Sequence, residues 1–174
     1  MAKESSKEIV VLSEREHILL RPTVYVGSVK STDEKVPLVR QGKIVYEEKP
    51  ISVGMYKILN EVIDNSVDEA KRMKGKMKTI TISINSKSNS ATVKDTGNGF
   101  YKGTSVNKDS GKTNIETAVS MLRAGSNFNN EEIEEALIGT NGMGFALTNV
   151  LSRRFKIVTI NETHYFEKEW VLLS

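Results

Sequence analysis

The feature that most restricts the fold of this chain is a long amphipathic segment that runs from Val53 to Lys74 and ends at Gly75. Its apolar residues recur at helical spacing and are Tyr56, Leu59, Ile63, Val67 and Ala70. An α-helix gathers such side chains on one face, and that face needs an apolar layer to pack against. The pattern therefore predicts one long helix that lies on a sheet.

The opposite face of this predicted helix is acidic. With Glu61 placed at zero on a helical wheel, Asp64, Asn65 and Asp68 fall within about 60° of it. Few Lys or Arg residues stand at the i±4 positions that would relieve these like charges. Carboxylate and amide oxygens are the ligands that Mg²⁺ takes. The face is therefore interpreted either as a metal-binding surface or as an ordinary solvated helix face.

Strand and helix patterns surround the long helix. Residues 79–84 alternate with period two, and a polar turn leads to a second strand at 91–94, so a hairpin is expected. Helices and antiparallel strands that alternate in this way favour an α+β fold, with helices on one face of a sheet. The other expected elements are a helix capped at Ser13 that stops at Arg21-Pro22, a loop-like stretch with strand pieces at 27–50, a long lid-like loop at 96–113, helices at 114–124 and 143–152, and a hairpin formed by 155–160 and 164–173.

Composition excludes several classes of protein. A chain of 174 residues has the length of one domain, and its net charge of +3 neither requires nor forbids a polyanionic partner. It contains no cysteine, which rules out disulfides and thiolate metal sites. No apolar run approaches the ~18 residues of a membrane span, and the N-terminus lacks the apolar run of a signal peptide. We expect a cytoplasmic protein with no membrane partner.

Two glycine-rich segments are candidates for ligand binding. The residues Asp95–Gly99 follow a strand directly; the glycines allow close backbone approach and the carboxylate can accept from an exocyclic amine, although a plain turn explains the pattern equally well. The second segment, Gly139–Gly144, opens an apolar helix, where successive backbone N–H groups form an anion site. Gly111–Thr113 ends like a P-loop, but Val106 stands where the first P-loop glycine is required.

The order of these motifs resembles the GHKL superfamily of ATP-binding proteins, and within it the type II DNA topoisomerases. The order is an acidic helix with E-x-x-x-N, a strand with D-x-G-x-G, a loop, and then G-x-x-G-x-G opening a helix. Residues 14–28 look like the topoisomerase motif EHI-x-x-RP-x-x-YIGS, and 125–128 and 149–152 are also similar. The resemblance extends from about residue 12 to residue 171 and implies the GHKL (Bergerat) fold, a two-layer sandwich of a mixed, mainly antiparallel sheet with helices on one face.

The resemblance implies a role for each motif residue. Glu61 corresponds to the general base that activates water, Asn65 to the ligand of the Mg²⁺ that bridges the phosphates, and Asp95 to the acceptor of the adenine amino group. The other implied ATP contacts are Gly97 and Gly99 at the floor of the adenine pocket, Ser126 and Asn127 at the sugar and phosphates, and Gly139, Thr140, Asn141, Gly142, Met143, Gly144, Phe145 and Ala146 around the triphosphate. ATP and Mg²⁺ are the implied cofactors.

The function implied by the resemblance is that of the ATPase domain of a type II DNA topoisomerase. Such a domain couples ATP binding and hydrolysis to DNA strand passage, dimerises on binding ATP, works with other topoisomerase subunits and meets DNA through the full enzyme. The alternative is a non-catalytic nucleotide-binding or interaction module that pairs with a topoisomerase. Glu61 favours the enzyme, because a pure binding module needs no base.

The domain organisation expected from the resemblance is an arm at 1–12 and a GHKL domain at 13–174. The family's further C-terminal strands and transducer domain are expected to be missing, so we expect the chain alone to bind ATP weakly and to hydrolyse it slowly or not at all. Phe100-Tyr101 stand where the family tends to have Ile-Pro, and Ala146 where eukaryotic-type members tend to have lysine. The short, divergent body is compatible with a phage or viral source. His17 and His164 receive no catalytic role.

Overall fold

The computed structural model describes residues 9–100, 103–124, 138, 142–161 and 163–172. The elements within these ranges are α1 Glu14–Leu20, α2 Thr23–Val26, β1 Thr32–Arg40, β2 Lys43–Ile51, α3 Val53–Arg72, β3 Ile80–Asn85, β4 Ser90–Asp95, α4 Asn114–Ser120, α5 Gly144–Leu151, β5 Arg154–Ile160 and β6 Tyr165–Val171. None of the helices in the described ranges combines the length and apolar character that a membrane crossing requires.

The named strands form three antiparallel hairpins, β1–β2, β3–β4 and β5–β6. In the described part of the chain no hydrogen-bonded strand pair joins one hairpin to another. The hairpins expected around 79–94 and 155–173 are confirmed, as is the α+β class. The long helix is confirmed as α3, which begins after the Ser52 cap and ends at Arg72.

The stretch 27–50 was expected to be loop-like with strand pieces; strands are present there, but they form the long regular β1–β2 hairpin rather than pieces within a loop. Its two-residue turn has positive φ at both Gln41 (51°) and Gly42 (74°), which is the conformation that matches the twist of a hairpin. Glutamine is not a usual residue for that turn. Pro37 and Pro50 interrupt the strand pattern, yet both strands of an isolated hairpin are edge strands, where proline is tolerated.

The first helix has the predicted start and stop. The Ser13 hydroxyl accepts from the Glu16 N–H at 3.3 Å, and a Glu16 carboxylate oxygen accepts from the Ser13 N–H at 2.8 Å. This reciprocal capping box satisfies two N–H groups that have no partner inside the helix. The helix ends at Leu20, just before Arg21-Pro22, since the residue before a proline is disfavoured in helical geometry.

Helix α5 lies at the centre of the packing. Five consecutive residues, 146–150, are buried, and Leu147 and Val150 form a core cluster with Ile18 of α1 and Val26 of α2. Two buried polar side chains attach α5 to its neighbours: the Thr148 hydroxyl lies 3.1 Å from the Ile58 carbonyl of α3, and Asn149 Nδ2 donates to the Val119 carbonyl of α4 at 3.1 Å. The N-terminus of α5 is thereby held in a defined position against α3.

Candidate functional site

Glu61 lies at the junction of α3 and the N-terminus of α5. A Cβ atom added to Gly144 would overlap Glu61 Oε2 and would come within 3.1 Å of the Glu61 Cβ, so a side chain there would displace the Glu61 carboxylate. The side chain of Glu61 is 18% exposed and forms an ion pair with Lys57, one turn earlier on α3. A helix N-terminus favours a negative charge beside it. The carboxylate is therefore directed at the place where the glycine-rich segment becomes a helix.

The like charges on the acidic face are relieved more than the sequence suggested. Lys57 pairs with Glu61, and Lys71 Nζ lies 3.6 Å from Asp68 Oδ1. Asp68 is only 2% exposed, which excludes the interpretation of the whole face as a solvated surface. The remaining carboxyl, Asp64, has its pKa raised above the ordinary value by burial and, to a smaller degree, by the neighbouring Glu61 carboxylate.

Asn65 stands one turn after Glu61 on the same face. Its side-chain amide NH₂ donates to the Glu61 backbone carbonyl and is partly buried. This bond engages the amide nitrogen and orients the amide oxygen as the atom that can meet a cation. Among the residues described here, no three His, Cys, Asp or Glu side chains converge as a metal site. One amide oxygen fits a Mg²⁺ ion that takes its other ligands from phosphates and water.

Asp95 is the last residue of β4, and two hydrogen bonds hold its carboxylate. Ser66 of α3 donates its hydroxyl to Oδ2 at 2.7 Å, and the Gly97 N–H donates to Oδ1 at 2.9 Å. An ionised carboxylate has about four lone-pair positions, so it can still accept from a ligand. Ser66 was not a predicted site residue; the bond joins residues 29 positions apart, and no local pattern indicates it.

Gly97 and Gly99 allow two close approaches within the protein. A Cβ at Gly97 would lie 2.6 Å from Glu69 Cγ of α3 and 2.9 Å from Asp95 Oδ1. Gly99 has φ +73°, and a Cβ there would overlap the Ile160 carbonyl oxygen and lie 2.8 Å from Thr159 Oγ1 of β5. The Asp95–Gly99 segment is therefore pressed between α3 and β5. This packing is a second reason for glycine, in addition to the ligand approach expected from the sequence.

Asp68 connects the acidic helix to the start of the glycine-rich segment. Both of its carboxylate oxygens accept from the Ile138 N–H, at 2.9 and 3.1 Å. At the other end of the segment, the Gly142 carbonyl accepts from the Ala124 N–H at 3.2 Å. The sequence placed Asp68 on an acidic face that was interpreted either as metal-binding or as solvated, whereas in the structure its carboxylate holds the backbone of the residue that precedes Gly139.

Among the residues expected to surround a triphosphate, Met143, Phe145 and Ala146 contribute to packing. Ala146 is 2% exposed, and Met143 packs against the core cluster. The Phe145 ring lies between two others: its centroid is 6.3 Å from that of Phe100 and 6.4 Å from that of Phe155. Any contact of these three residues with a phosphate is therefore left to the backbone. The expected contacts that lie outside the described residues are Ser126, Asn127, Gly139, Thr140 and Asn141.

The two histidines have local partners. His17 Nδ1 lies 2.7 Å from the Tyr25 hydroxyl, and the two rings meet edge to face with centroids 5.7 Å apart. His164 Nδ1 lies 2.6 Å from the Thr163 hydroxyl on an exposed turn. Both His17 and Tyr25 belong to the 14–28 motif, whose polar residues thus pack on each other.

Comparison with known proteins relates this site to one enzyme family. The chain is 33% identical over 165 residues to DNA topoisomerase 2 top-2 of Caenorhabditis elegans. This alignment covers 91% of this chain and 10% of that protein. It is 36% identical over 150 residues to the DNA topoisomerase large subunit of Enterobacteria phage T4. This second alignment covers 85% of this chain and 28% of that protein. The chain thus spans from about a tenth to about a quarter of the length of these curated relatives. No protein-family model matches the chain.

A solved structure agrees with these relatives. The ATPase region of Saccharomyces cerevisiae topoisomerase II superposes with a TM-score of 0.85 and 25% sequence identity, over 94% of this chain and 43% of that one. The sequence similarity covers 85–91% of this chain and the superposition covers 94% of it. The chain is thus a homologue of the type II DNA topoisomerases and has the GHKL fold of their ATPase region.

Proposed function

We propose that this chain binds ATP with Mg²⁺ between α3, the Asp95–Gly99 segment and the N-terminus of α5, and that it works as the ATPase domain of a type II DNA topoisomerase. The observation that carries the proposal is the contact between the Glu61 carboxylate and Gly144 at the start of α5. Among the described residues the carboxylate forms an ion pair with Lys57 of the same helix, and a reaction at a phosphate held by a helix N-terminus needs a carboxylate at this place.

The adenine base is assigned to Asp95. Its carboxylate is held by Ser66 and by the Gly97 N–H, so its orientation is set before a ligand arrives. A carboxylate that accepts from an exocyclic amino group makes a charge-assisted hydrogen bond. Gly97 and Gly99 are assigned to the floor of this subsite, and their close packing on α3 and β5 fixes the position of that floor.

The reaction is assigned to Glu61. Its carboxylate takes a proton from the water that attacks the terminal phosphate, and the Lys57 ammonium holds that carboxylate in place beforehand. Asn65, one turn away, offers its amide oxygen to the Mg²⁺, which when bound neutralises phosphate charge. Backbone N–H groups at Gly142–Ala146 and in the preceding glycine-rich residues, together with Ser126 and Asn127, are assigned to the triphosphate and sugar.

The wider activity follows from the family. We assign residues 13–174 to one nucleotide-binding domain, preceded by an arm at 1–12. Coupling of ATP turnover to DNA strand passage, dimerisation on ATP binding and contact with other topoisomerase subunits are part of this proposal. Similarity to proteins named DNA topoisomerases along most of the chain supports it.

The nucleotide site is tested by calorimetric titration of a non-hydrolysable ATP analogue, with and without Mg²⁺. Asp95→Ala is expected to weaken binding roughly 10- to 150-fold, because a hydrogen bond to a charged group contributes about 1.5–3 kcal/mol. Asp33→Ala removes the same charge from an exposed position of β1 and serves as the matched control. Equal affinities of the two variants for the ATP analogue would show that Asp95 does not contact the nucleotide.

The catalytic assignment is tested by steady-state ATP turnover of Glu61→Gln. A positioned base contributes about 10²- to 10⁴-fold, so turnover should fall by that factor while the analogue still binds. Glu48→Gln, on the exposed side of β2, is the control. Loss of binding together with turnover would give Glu61 a binding role, and turnover equal to that of the wild type would reject the catalytic assignment.

A further inference from the structure

The charge of this chain is distributed unevenly. Of its 25 Lys and Arg residues, seven lie between Glu69 and Asp95, whereas none of its 22 Asp and Glu residues does, so the rest of the chain is net acidic. This stretch contains the end of α3, the link to β3 and the whole β3–β4 hairpin. An ordinary solvated surface mixes both signs of charge, and a segment of one sign favours a partner of the opposite sign.

Five of the seven cations have no acidic partner in the described part of the chain. Arg72 donates to Glu69 at 3.1 Å, and Lys71 lies 3.6 Å from Asp68, so these two are neutralised within α3. The five others are exposed, and we call them the lysine surface: Lys74, Lys76, Lys78, Lys87 and Lys94. Unpaired like charges on one surface repel each other, which is a cost that a bound polyanion removes.

The backbone brings four of these lysines to one end of the hairpin. Positive φ at Lys74 (48°) and Gly75 (82°) turns the chain from α3 towards β3. The Lys78 N–H then donates to Thr96 Oγ1 at 3.0 Å, which fixes this link beside the end of β4. Lys94 lies opposite Thr81 at the same end. Lys87 lies in the turn at the other end, about 20 Å away along six residues of strand.

The outer face of the hairpin carries hydrogen-bond donors between these charges. Side chains alternate along a strand, so the register divides β3–β4 into an apolar and a polar face. The apolar face includes Ile80, Ile82 and Val93. The polar face consists of Thr81, Ser83, Asn85, Ser90, Thr92 and Lys94, all of them exposed. Hydroxyl and amide groups of this kind donate to phosphate oxygens in protein–DNA contacts.

We propose that the lysine surface and the polar face of β3–β4 bind the phosphate backbone of duplex DNA. The stretch 70–94 contains no aromatic side chain on which unstacked bases could stack, which disfavours single-stranded nucleic acid. All five cations are lysines, which bind phosphate as point charges, and contacts to phosphate are independent of base sequence. The proposal does not depend on the nucleotide site.

The test is fluorescence anisotropy of a short labelled duplex, titrated with the 174-residue chain between about 50 and 200 mM KCl. The triple variant Lys74→Gln, Lys76→Gln, Lys78→Gln is expected to bind at least 10-fold more weakly at the lowest salt. Its log–log salt slope should be smaller by roughly 0.9 for each lysine that meets a phosphate. The matched control Lys30→Gln, Lys35→Gln, Lys43→Gln makes the same change in net charge on exposed positions elsewhere and should lose less than about 3-fold.

Three outcomes would overturn the proposal. Equal losses in the two triple variants would mean that net charge alone drives binding, and no binding by the wild type at the lowest salt would mean that the surface meets no DNA. Competition by poly-glutamate as strong as competition by unlabelled duplex would mean that an acidic protein is the partner. Thermal unfolding of both triple variants, with midpoints equal to that of the wild type, shows that a loss of binding is not a loss of fold.

Discussion

Single residues of this site are constrained by the protein as much as by a ligand. Gly97 and Gly144 each leave room for a carboxylate-bearing side chain of α3, Glu69 in one case and Glu61 in the other. Asp68 and Asp95 each accept backbone N–H groups from the segment that they position. The same atoms that would surround a nucleotide therefore also join α3 to the loops and to α5.

Gly99 offers a direct test of this packing, because the chain contains a matched glycine. Gly99 and Gly42 have nearly the same φ, +73° and +74°, but only Gly99 has neighbours within 4 Å of an added Cβ. Alanine at either position adopts the left-handed conformation at a cost of about 1–2 kcal/mol. Gly99→Ala should lower the free energy of unfolding by a further ~1–3 kcal/mol, because Thr159 and Ile160 must move. Urea denaturation measures both variants, and equal losses would reject the packing role of Gly99.

Asp68 is expected to protect one backbone amide. Asp68→Ala removes the carboxylate that accepts the Ile138 N–H, and a hydrogen bond to a charged group contributes about 1.5–3 kcal/mol. Hydrogen exchange of the Ile138 amide, followed by NMR, should accelerate roughly 10- to 150-fold. Asp64→Ala, on the same helix, is the control and should leave that amide unchanged. Unchanged exchange in both variants would show that Asp68 does not hold Ile138.

Whole elements are joined by side-chain interactions that cross long distances in sequence. Helix α4 begins at a capping box in which Thr113 and Glu116 satisfy each other's backbone N–H groups. Glu116 also pairs with Lys168 of β6, so one carboxylate caps α4 and attaches it to the last hairpin. The Lys168 hydrogen bond, followed by the Thr113 hydrogen bonds, lowers the pKa of Glu116 from 4.5 to about 2.

The lowered pKa of Glu116 predicts that the contact between α4 and β6 contributes less to the unfolding free energy in acid. A carboxyl group with a lowered pKa contributes stability that is complete above its unfolded pKa and is lost as the pH falls through the folded pKa. Glu116→Gln keeps the capping box but removes the charge, so the gap in unfolding free energy between wild type and variant should close between about pH 4.5 and 2. Denaturation at a series of pH values measures the gap.

Glu116→Ala is the companion variant. It removes the oxygen that accepts from the Thr113 N–H as well as the charge, so it should cost about 0.5–1.5 kcal/mol more than Glu116→Gln at every pH. A gap between wild type and Glu116→Gln that stays constant from neutral pH to pH 2 would contradict the ion pair with Lys168.

At the scale of the whole molecule, the proposed ligand connects parts that are distant in sequence. Binding between α3, the end of β4 and α5 should stabilise the fold as a unit, by about 2.7 kcal/mol when the ligand is at 100 times its Kd. Thermal unfolding with an ATP analogue and Mg²⁺ should therefore shift upward in the wild type but not in Asp95→Ala at the same concentration. An equal shift in both proteins would assign the stabilisation to another site.

The sequence by itself determined those features that depend on neighbours along the chain. The α3 helix, the capping box at Ser13, the hairpins at 80–95 and 154–171 and the α+β class follow from periodicity and local hydrogen bonding, which act over a few residues. The order of the motifs also led to the topoisomerase resemblance. The regular β1–β2 hairpin was not predicted, because Gln41 is an unusual residue for its turn and the two prolines are unusual within strands. Both strands of this hairpin are edge strands, where proline is tolerated.

Only the tertiary structure decided which side chains meet across the chain. The contacts of Ser66 with Asp95, Asp68 with Ile138 and Glu61 with Gly144 span from 29 to more than 70 residues. Periodicity contains no information about such pairs, because they depend on how α5 packs against α3 and on where β4 ends. The sequence therefore named the acidic residues of the site. Packing separated them into Glu61, which faces α5, Asp68, which is buried and holds a backbone N–H, and Asp64, which is half-buried and has a raised pKa.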